Sequence, residues 1–260
     1  MTAPGHFTGV VAALRSEARC LSARRVHWGA APVPVGGLLV EASGMGCQRA
    51  AYTAQRLVRA GARSLLCWGV AGALDPSLRC GDVVLATEVI CEAPLALHLE
   101  GSRPVAVPAL ARLRTDESWR HQLATALQPQ GPIVQGAMLT SAELVCEPQH
   151  KARLYRDTAA VAVDMESAAV AVVAGLHGVP FMALRVIADT AADQMPGVLR
   201  LLAGAQPLGA LSWLTWLPLM LLPSAWPGLA RLGKRYRLAQ QVLRQCARFG
   251  RPRPPAELSR

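Results

Sequence analysis

The chain has 260 residues, of which 52% are hydrophobic, enough for one large α/β core or two small ones, and one core with a tail is the expectation. Its formal charge of +10 is unevenly placed: beyond position 230 nine basic residues face Glu257 alone, which excludes a protein whose whole surface grips nucleic acid. The seven cysteines are odd in number, scattered and without a C-x-x-C pair, which excludes a disulfide frame and a zinc site and fits a reduced, cytoplasmic compartment.

The apolar start is similar to a secretory signal but has no basic leading region and runs into Arg15, Ser16 and Glu17, so residues 7–13 are read as the first strand. Short apolar runs then predict strands over 38–42, 64–68, 83–87, 133–139, 159–163 and 181–187. Helical patterns lie between them: 48–60 stops at Gly61, and 165–177 stops at Gly178 with Pro180 beyond. Residues 92–132, rich in proline, read as irregular connections around one helix near 116–127. This alternation predicts an α/β fold with helices on both faces of a sheet.

The expected boundary falls at 198/199, with a catalytic domain over 1–198 and an apolar, then basic, helical tail over 199–260. Residues 201–230 carry no charge and include Trp213, Trp216 and Trp226. Pro207, Pro218, Pro223 and Pro227 divide the stretch, and a spanning helix needs about 20 unbroken apolar residues, so a true span is not expected. Two readings stand. One is short helices against a membrane surface or a greasy ligand, with the basic run gaining roughly 1 kcal/mol per cation near an anionic leaflet; the other is a buried C-terminal helix pair.

Two acid-bearing segments draw attention in the core. Asp164-Met165-Glu166-Ser167 opens one helix and Arg185-Val186-Ile187-Ala188-Asp189 ends one strand, and acids in apolar settings are costly unless paired, hydrogen-bonded or protonated. Taken alone, Asp189 is a turn cap, Asp164 an N-cap, Glu17 a helix-start acid, and Arg185 a structural partner for either neighbouring acid.

In order along the chain, Gly9 to Glu17, Ser43-Gly44-Met45-Gly46, Gly69-Val70-Ala71-Gly72-Ala73-Leu74-Asp75-Pro76 with Gly81-Asp82, Asp164-Met165-Glu166-Ser167-Ala168-Ala169 and Arg185 to Asp189 resemble the signatures of the nucleoside phosphorylase and methylthioadenosine/S-adenosylhomocysteine nucleosidase superfamily. The resemblance covers roughly residues 7–195. It implies a three-layer α/β/α fold with a central mixed, largely parallel sheet. The tail is similar to that of the hopanoid-associated branch, which implies adenine release from adenosylhopane, a lipid-linked purine nucleoside.

The reaction so implied breaks the bond between purine N9 and ribose C1′ through an oxocarbenium-like state. By this resemblance Asp189 donates a proton to purine N7, with burial or a neighbouring acid raising its pKa. Glu166 accepts the ribose hydroxyls, Met165 packs on the sugar and Arg185 positions the acids. Glu17 falls where the nucleosidase branch activates water, and would repel phosphate. Val70 stands where a serine is common, with Gly72 in the same stretch, and Leu144 and Val145 stand where an aromatic residue usually lies under adenine. Gly44, Gly46 and Arg49, at a helix N-terminus, are the candidate phosphate site, so phosphate remains a candidate co-substrate beside water. No other cofactor and no metal are implied.

The expected partners are thus a lipid-linked nucleoside, an anionic membrane surface and a second copy of the chain in a homodimer, with the protein cytoplasmic and peripheral to the inner membrane. Two alternatives stand beside this reading: a soluble methylthioadenosine/S-adenosylhomocysteine nucleosidase, and a non-catalytic membrane-surface scaffold.

Overall fold

A computed structural model describes residues 7–22, 31–101, 103–195 and 226–249. The strands before the first long connection are β1 (Phe7–Ala12), β2 (Val33–Val35), β3 (Leu38–Ala42), β4 (Ala62–Ala73) and β5 (Val83–Cys91). After it come β6 (Leu95–Leu97), β7 (Val105–Val107), β8 (Arg112–Arg114), β9 (Ile133–Thr140), β10 (Ala162–Asp164) and β11 (Phe181–Asp189). The helices are α1 (Arg15–Ala18), α2 (Cys47–Arg59), α3 (Glu117–Leu127), α4 (Pro148–Thr158), α5 (Ser167–Leu176) and α6 (Trp226–Phe249).

Continuous apolar runs are expected of strands covered on both faces, and β11 is buried at every position. The sheet runs β10-β9-β5-β11-β4-β1-β3-β2, and β10 also pairs with β4, so the path from β10 round to β4 closes on itself. It is mixed: β1 is parallel to β3 and β4, β4 to β11, and β9 to β5 and β10, whereas β11 runs antiparallel to β5. One face packs on α2 and α5, with Ala50, Ala54, Leu57, Val170 and Val173 in the core. The other packs on α3 and α6, through Trp119, Leu123, Ala239, Leu243 and Cys246. This is the three-layer arrangement that the alternating pattern predicts.

The differences have local causes. The strand read over 159–163 begins at Ala162, because Ala159 closes α4 in the left-handed conformation, φ 55°. The connection over 92–132 contains the β6–β7 hairpin, and β8 pairs with the second half of β5, Glu88–Ile90, beyond the part paired with β11. Three-residue strands carry too short a pattern to be read from sequence.

Residues 196–225 and 250–260, which include most of the tail expected over 199–260, lie outside the described residues. Helix α6 is described, and one of its faces is part of the core, so the basic run over 231–248 belongs to a packed helix. Its outward face carries Arg231, Lys234, Arg237, Arg244 and Arg248 with no acid. Among the described residues no helix is long and apolar enough to cross a membrane.

Candidate active site

A cleft with a cavity volume of about 130 Å³ opens where several strands end. Its walls come from the β1–α1 junction (Leu14, Glu17), from β4 (Val70, Gly72), from the loop after β9 (Leu144, Val145), from the β10–α5 junction (Met165, Glu166) and from the end of β11 (Asp189). The cleft lies at the carboxyl ends of strands: Asp164 ends β10, Asp189 ends β11, and Ala13 directly follows β1.

Glu17 is 1% exposed. Its Oε1 accepts from the backbone N–H of Val70 and its Oε2 from that of Leu14, each at 2.9 Å. Burial pushes its pKa up, while Arg185 and these N–H groups pull against that rise. Gly69 is what lets Glu17 and Arg185 come so close: a Cβ there would lie 2.7 Å from Glu17 Oε1 and 2.6 Å from Arg185 Nη1.

Arg185 is the hub of the acids. It is 1% exposed; its Nε and Nη2 donate to Asp164 Oδ2 at 2.9 and 2.6 Å, and Nη2 reaches Glu166 Oε2 at 3.4 Å. Its Nη1 is buried with no hydrogen-bond partner. Asp164 leaves the N-cap position of α5 to Glu166, and its carboxylate does more than receive one cap-like bond. It accepts from the N–H of Ser167 at 3.2 Å and from Thr140 Oγ1 at 2.8 Å, and it also anchors the guanidinium; a cap reading accounts for only the first of these. Glu166 accepts from the Gly46 N–H at 2.9 Å, and burial, opposed by Arg185, pushes its pKa up to about 7.

Asp189 lies opposite Gly72 across the β4–β11 pairing, where the register shifts between Ile187 and Asp189. Such a bulge re-aims the side chain beyond it. Gly72 leaves it room, since a Cβ there would sit 3.0 Å from Asp189 Oδ2. Burial raises the Asp189 pKa, as the sequence reading requires, but its closest charged neighbour is a cation and not an acid. Lys151 Nζ donates to Asp189 Oδ2, and it is wholly buried. Sequence reasoning missed Lys151 because α4 was not recognised; the available signal was that the chain has two lysines, Lys151 and Lys234, among 27 basic residues.

The candidate phosphate residues part company. Gly46 spends its N–H on Glu166, whereas Arg49 folds over Gly44 and lines a separate depression with Glu41, Ser43, Tyr52 and Arg56. Asp189, Glu17, Glu166, Met165, Val70, Gly72, Leu144 and Val145 share the cleft; Arg185 stands behind it, holding the acids. Met45 and Met195, which the sequence did not single out, also line it.

A closed mixed sheet with buried acids gathered at its strand ends defines the class, and the sequence defines the family. Residues 24–201 match the Phosphorylase superfamily, and the chain belongs to it. A 5′-methylthioadenosine/S-adenosylhomocysteine nucleosidase of Treponema pallidum is 32% identical over 187 residues, covering 61% of this chain and 69% of that protein. One of Tolumonas auensis is 32% identical over 132 residues, or 49% of this chain, and the match spans only 57% of that relative's length. The crystal structure of the Helicobacter pylori 5′-methylthioadenosine/S-adenosylhomocysteine nucleosidase superposes with a TM-score of 0.63 at 20% identity, covering 95% of this chain and 99% of that one, a likeness of fold.

Proposed function

We propose that this chain hydrolyses the N-glycosidic bond of an adenine nucleoside substituted at its 5′ position. The observation that carries the reading is that Glu17, Glu166 and Asp189 are all buried acids of one cleft, with a buried arginine N–H left unpartnered beside two of them. In the reaction Asp189, in its acid form, gives its proton to purine N7 as the N9–C1′ bond breaks and the bonding pair leaves with the base. Glu166 takes the ribose hydroxyls and steadies the cationic sugar. Water adds to C1′ and loses its proton to Glu17, so that the products are the free base and a reducing sugar.

Water is preferred to phosphate on electrostatic grounds. An anion would meet Glu17 and Glu166, the Gly46 N–H is already engaged, and Arg49 lies outside the cleft. Adenine as the base and a small thio-substituent at the 5′ position rest on the nucleosidase relatives. The test is to incubate 5′-methylthioadenosine with the protein, with and without phosphate, and weigh the sugar product. A free reducing sugar in both is expected; a sugar phosphate would overturn the hydrolytic reading. Asp189→Asn should lose about 10² to 10⁴ in rate, and full activity in that variant would remove Asp189 from the proton-donor role.

A second reading, a lipid-linked nucleoside such as adenosylhopane cleaved at an anionic membrane surface, is favoured by the uncharged, tryptophan-bearing stretch over 201–230 and by the outward basic face of α6. It includes the peripheral location and the homodimer. Turnover of a long 5′-alkyl nucleoside above that of the methylthio compound, with sedimentation on anionic vesicles, supports it; equal or lower turnover and no sedimentation remove it.

A further inference from the structure

A buried cation stands behind the acid of the cleft, and the reaction set out above makes no use of it. Lys151 is 0% exposed, and its Nζ has three oxygen acceptors: Asp189 Oδ2, the Thr190 carbonyl at 2.8 Å and the Asp193 carbonyl at 3.3 Å. All three belong to the last residue of β11 and the turn that follows. The turn is itself fixed, since the Asp193 carboxylate accepts from the Thr190 N–H and hydroxyl, each at 2.8 Å, and pairs with Arg235 of α6.

The choice of residue is informative. Of 27 basic residues only two are lysines, so a chain that uses arginine almost everywhere has lysine here. An ammonium is a compact charge with three donors on one atom, whereas a guanidinium is a planar fork. Three acceptors converging on one point in a dry space fit the first and not the second. A purely structural ion pair would gain little, because desolvating both partners offsets most of their attraction.

Resting on the proposed function, we propose that Lys151 is the positioning residue of the proton donor: it binds Oδ2, leaves Oδ1 to face the base, and holds the carboxylate charge that remains once the proton has moved to the purine. The step balances without a further reactant. The proton passes from Asp189 to N7, the electron pair of the broken bond stays with the base, and Asp189 is reprotonated by solvent after release. Burial alone would keep the proton on Asp189 and the ammonium alone would keep it off; acting together they poise it for transfer. Among the described residues the other charged or titratable groups around Asp189 are Asp193 on the turn, Arg231 and Arg235 on α6, Cys80 before β5, and Glu17, Glu143, Asp164 and Glu166 lining the same cleft.

The test is the pH–rate profile of adenine release from 5′-methylthioadenosine by Lys151→Met and Lys151→Arg, alongside their melting temperatures. Lys151→Met should lose about tenfold or more in kcat, with the loss in kcat larger than any change in KM. Its alkaline limb should move up by about one to three pH units, the displacement a lost neighbouring cation produces. Lys151→Arg, which keeps the charge but not the three-way geometry, should leave the limb in place and still lose kcat. If Lys151→Met does not fold, Lys151→Gln retains donors for the two carbonyls and is read in the same way. A profile and kcat unchanged in a folded, uncharged variant overturn the proposal. Unchanged turnover in Asp189→Asn would instead overturn the proposed function, which separates the two failures.

Discussion

Arg185 meets Asp164 through two nitrogens on one oxygen, Nε at 2.9 Å and Nη2 at 2.6 Å from Oδ2, in a place where both side chains are 1% exposed. A guanidinium presents its donors as a rigid fork, so this contact fixes the plane of Arg185 and with it the direction of the unpartnered Nη1. Removing the cation leaves Asp164 and Glu166 buried without a counter-charge, with only neutral donors such as Thr140, Ser167 and the Gly46 N–H. Arg185→Met should therefore destabilise the fold by about 3–5 kcal/mol, read from urea unfolding. Arg185→Lys should fail to restore it, because one ammonium cannot take the place of the fork.

Gly69→Ala should act on activity before stability. The new methyl would lie inside contact distance of both Glu17 Oε1 and Arg185 Nη1, at 2.7 and 2.6 Å, and must push one of them aside. A displacement of about 1 Å at a reacting group costs on the order of 10²-fold in rate. The measurement is kcat for base release together with the melting temperature; a fully active variant would show that Glu17 is not held at the reacting position.

The pH dependence of stability has a definite sign. Glu41 and Glu166 are each pushed from the ordinary 4.5 up to about 7, by burial first, against the pull of Arg56 and Arg185 respectively. The folded chain therefore holds these protons more tightly than the unfolded chain does. Their contribution is fully present below the unfolded value and is lost as pH rises through about 7. Urea midpoints should fall between about pH 5 and about pH 8, and Glu41→Gln, which cannot ionise, should make that fall shallower. An equally steep fall in Glu41→Gln would rule Glu41 out as a contributor.

Helix α6 is tied to the β1–α1 junction by a hydrogen bond between Tyr236 Oη and Ser16 Oγ at 2.7 Å, one residue before Glu17. Tyr236→Phe keeps the packing and deletes the bond. It should cost about 0.5–1.5 kcal/mol, and hydrogen exchange should quicken in both α6 and the first turn after β1. No change in either segment would show that the Tyr236–Ser16 bond plays no part in docking α6.

The fold was legible wherever the pattern was long. The strands at 38–42 and 181–187 and the helices ending at Gly61 and Gly178 were readable because apolar runs and glycine stops are local signals. Helix α4 was missed: Pro148 marks its first turn, but the segment is strongly polar and gives up only Lys151, Leu154 and Thr158 to the interior. Its one decisive residue looked, in sequence, like any exposed lysine. Arg49 is the converse case. Its place at a helix start reads as an anion site, yet the chain turns it away from the cleft and over Gly44.

What the sequence determined by itself is the family and the set of acids, because motifs in a set order carry residue identity and approximate place. Which charges meet was decided only by the tertiary structure. Lys151 and Asp189 are 38 positions apart and Glu17 and Val70 are 53 apart, and each pair is joined by the sheet's crossovers and not by any local pattern. The energy of a buried charge depends on what lies within a few ångströms in space, and separation along a chain says nothing about that.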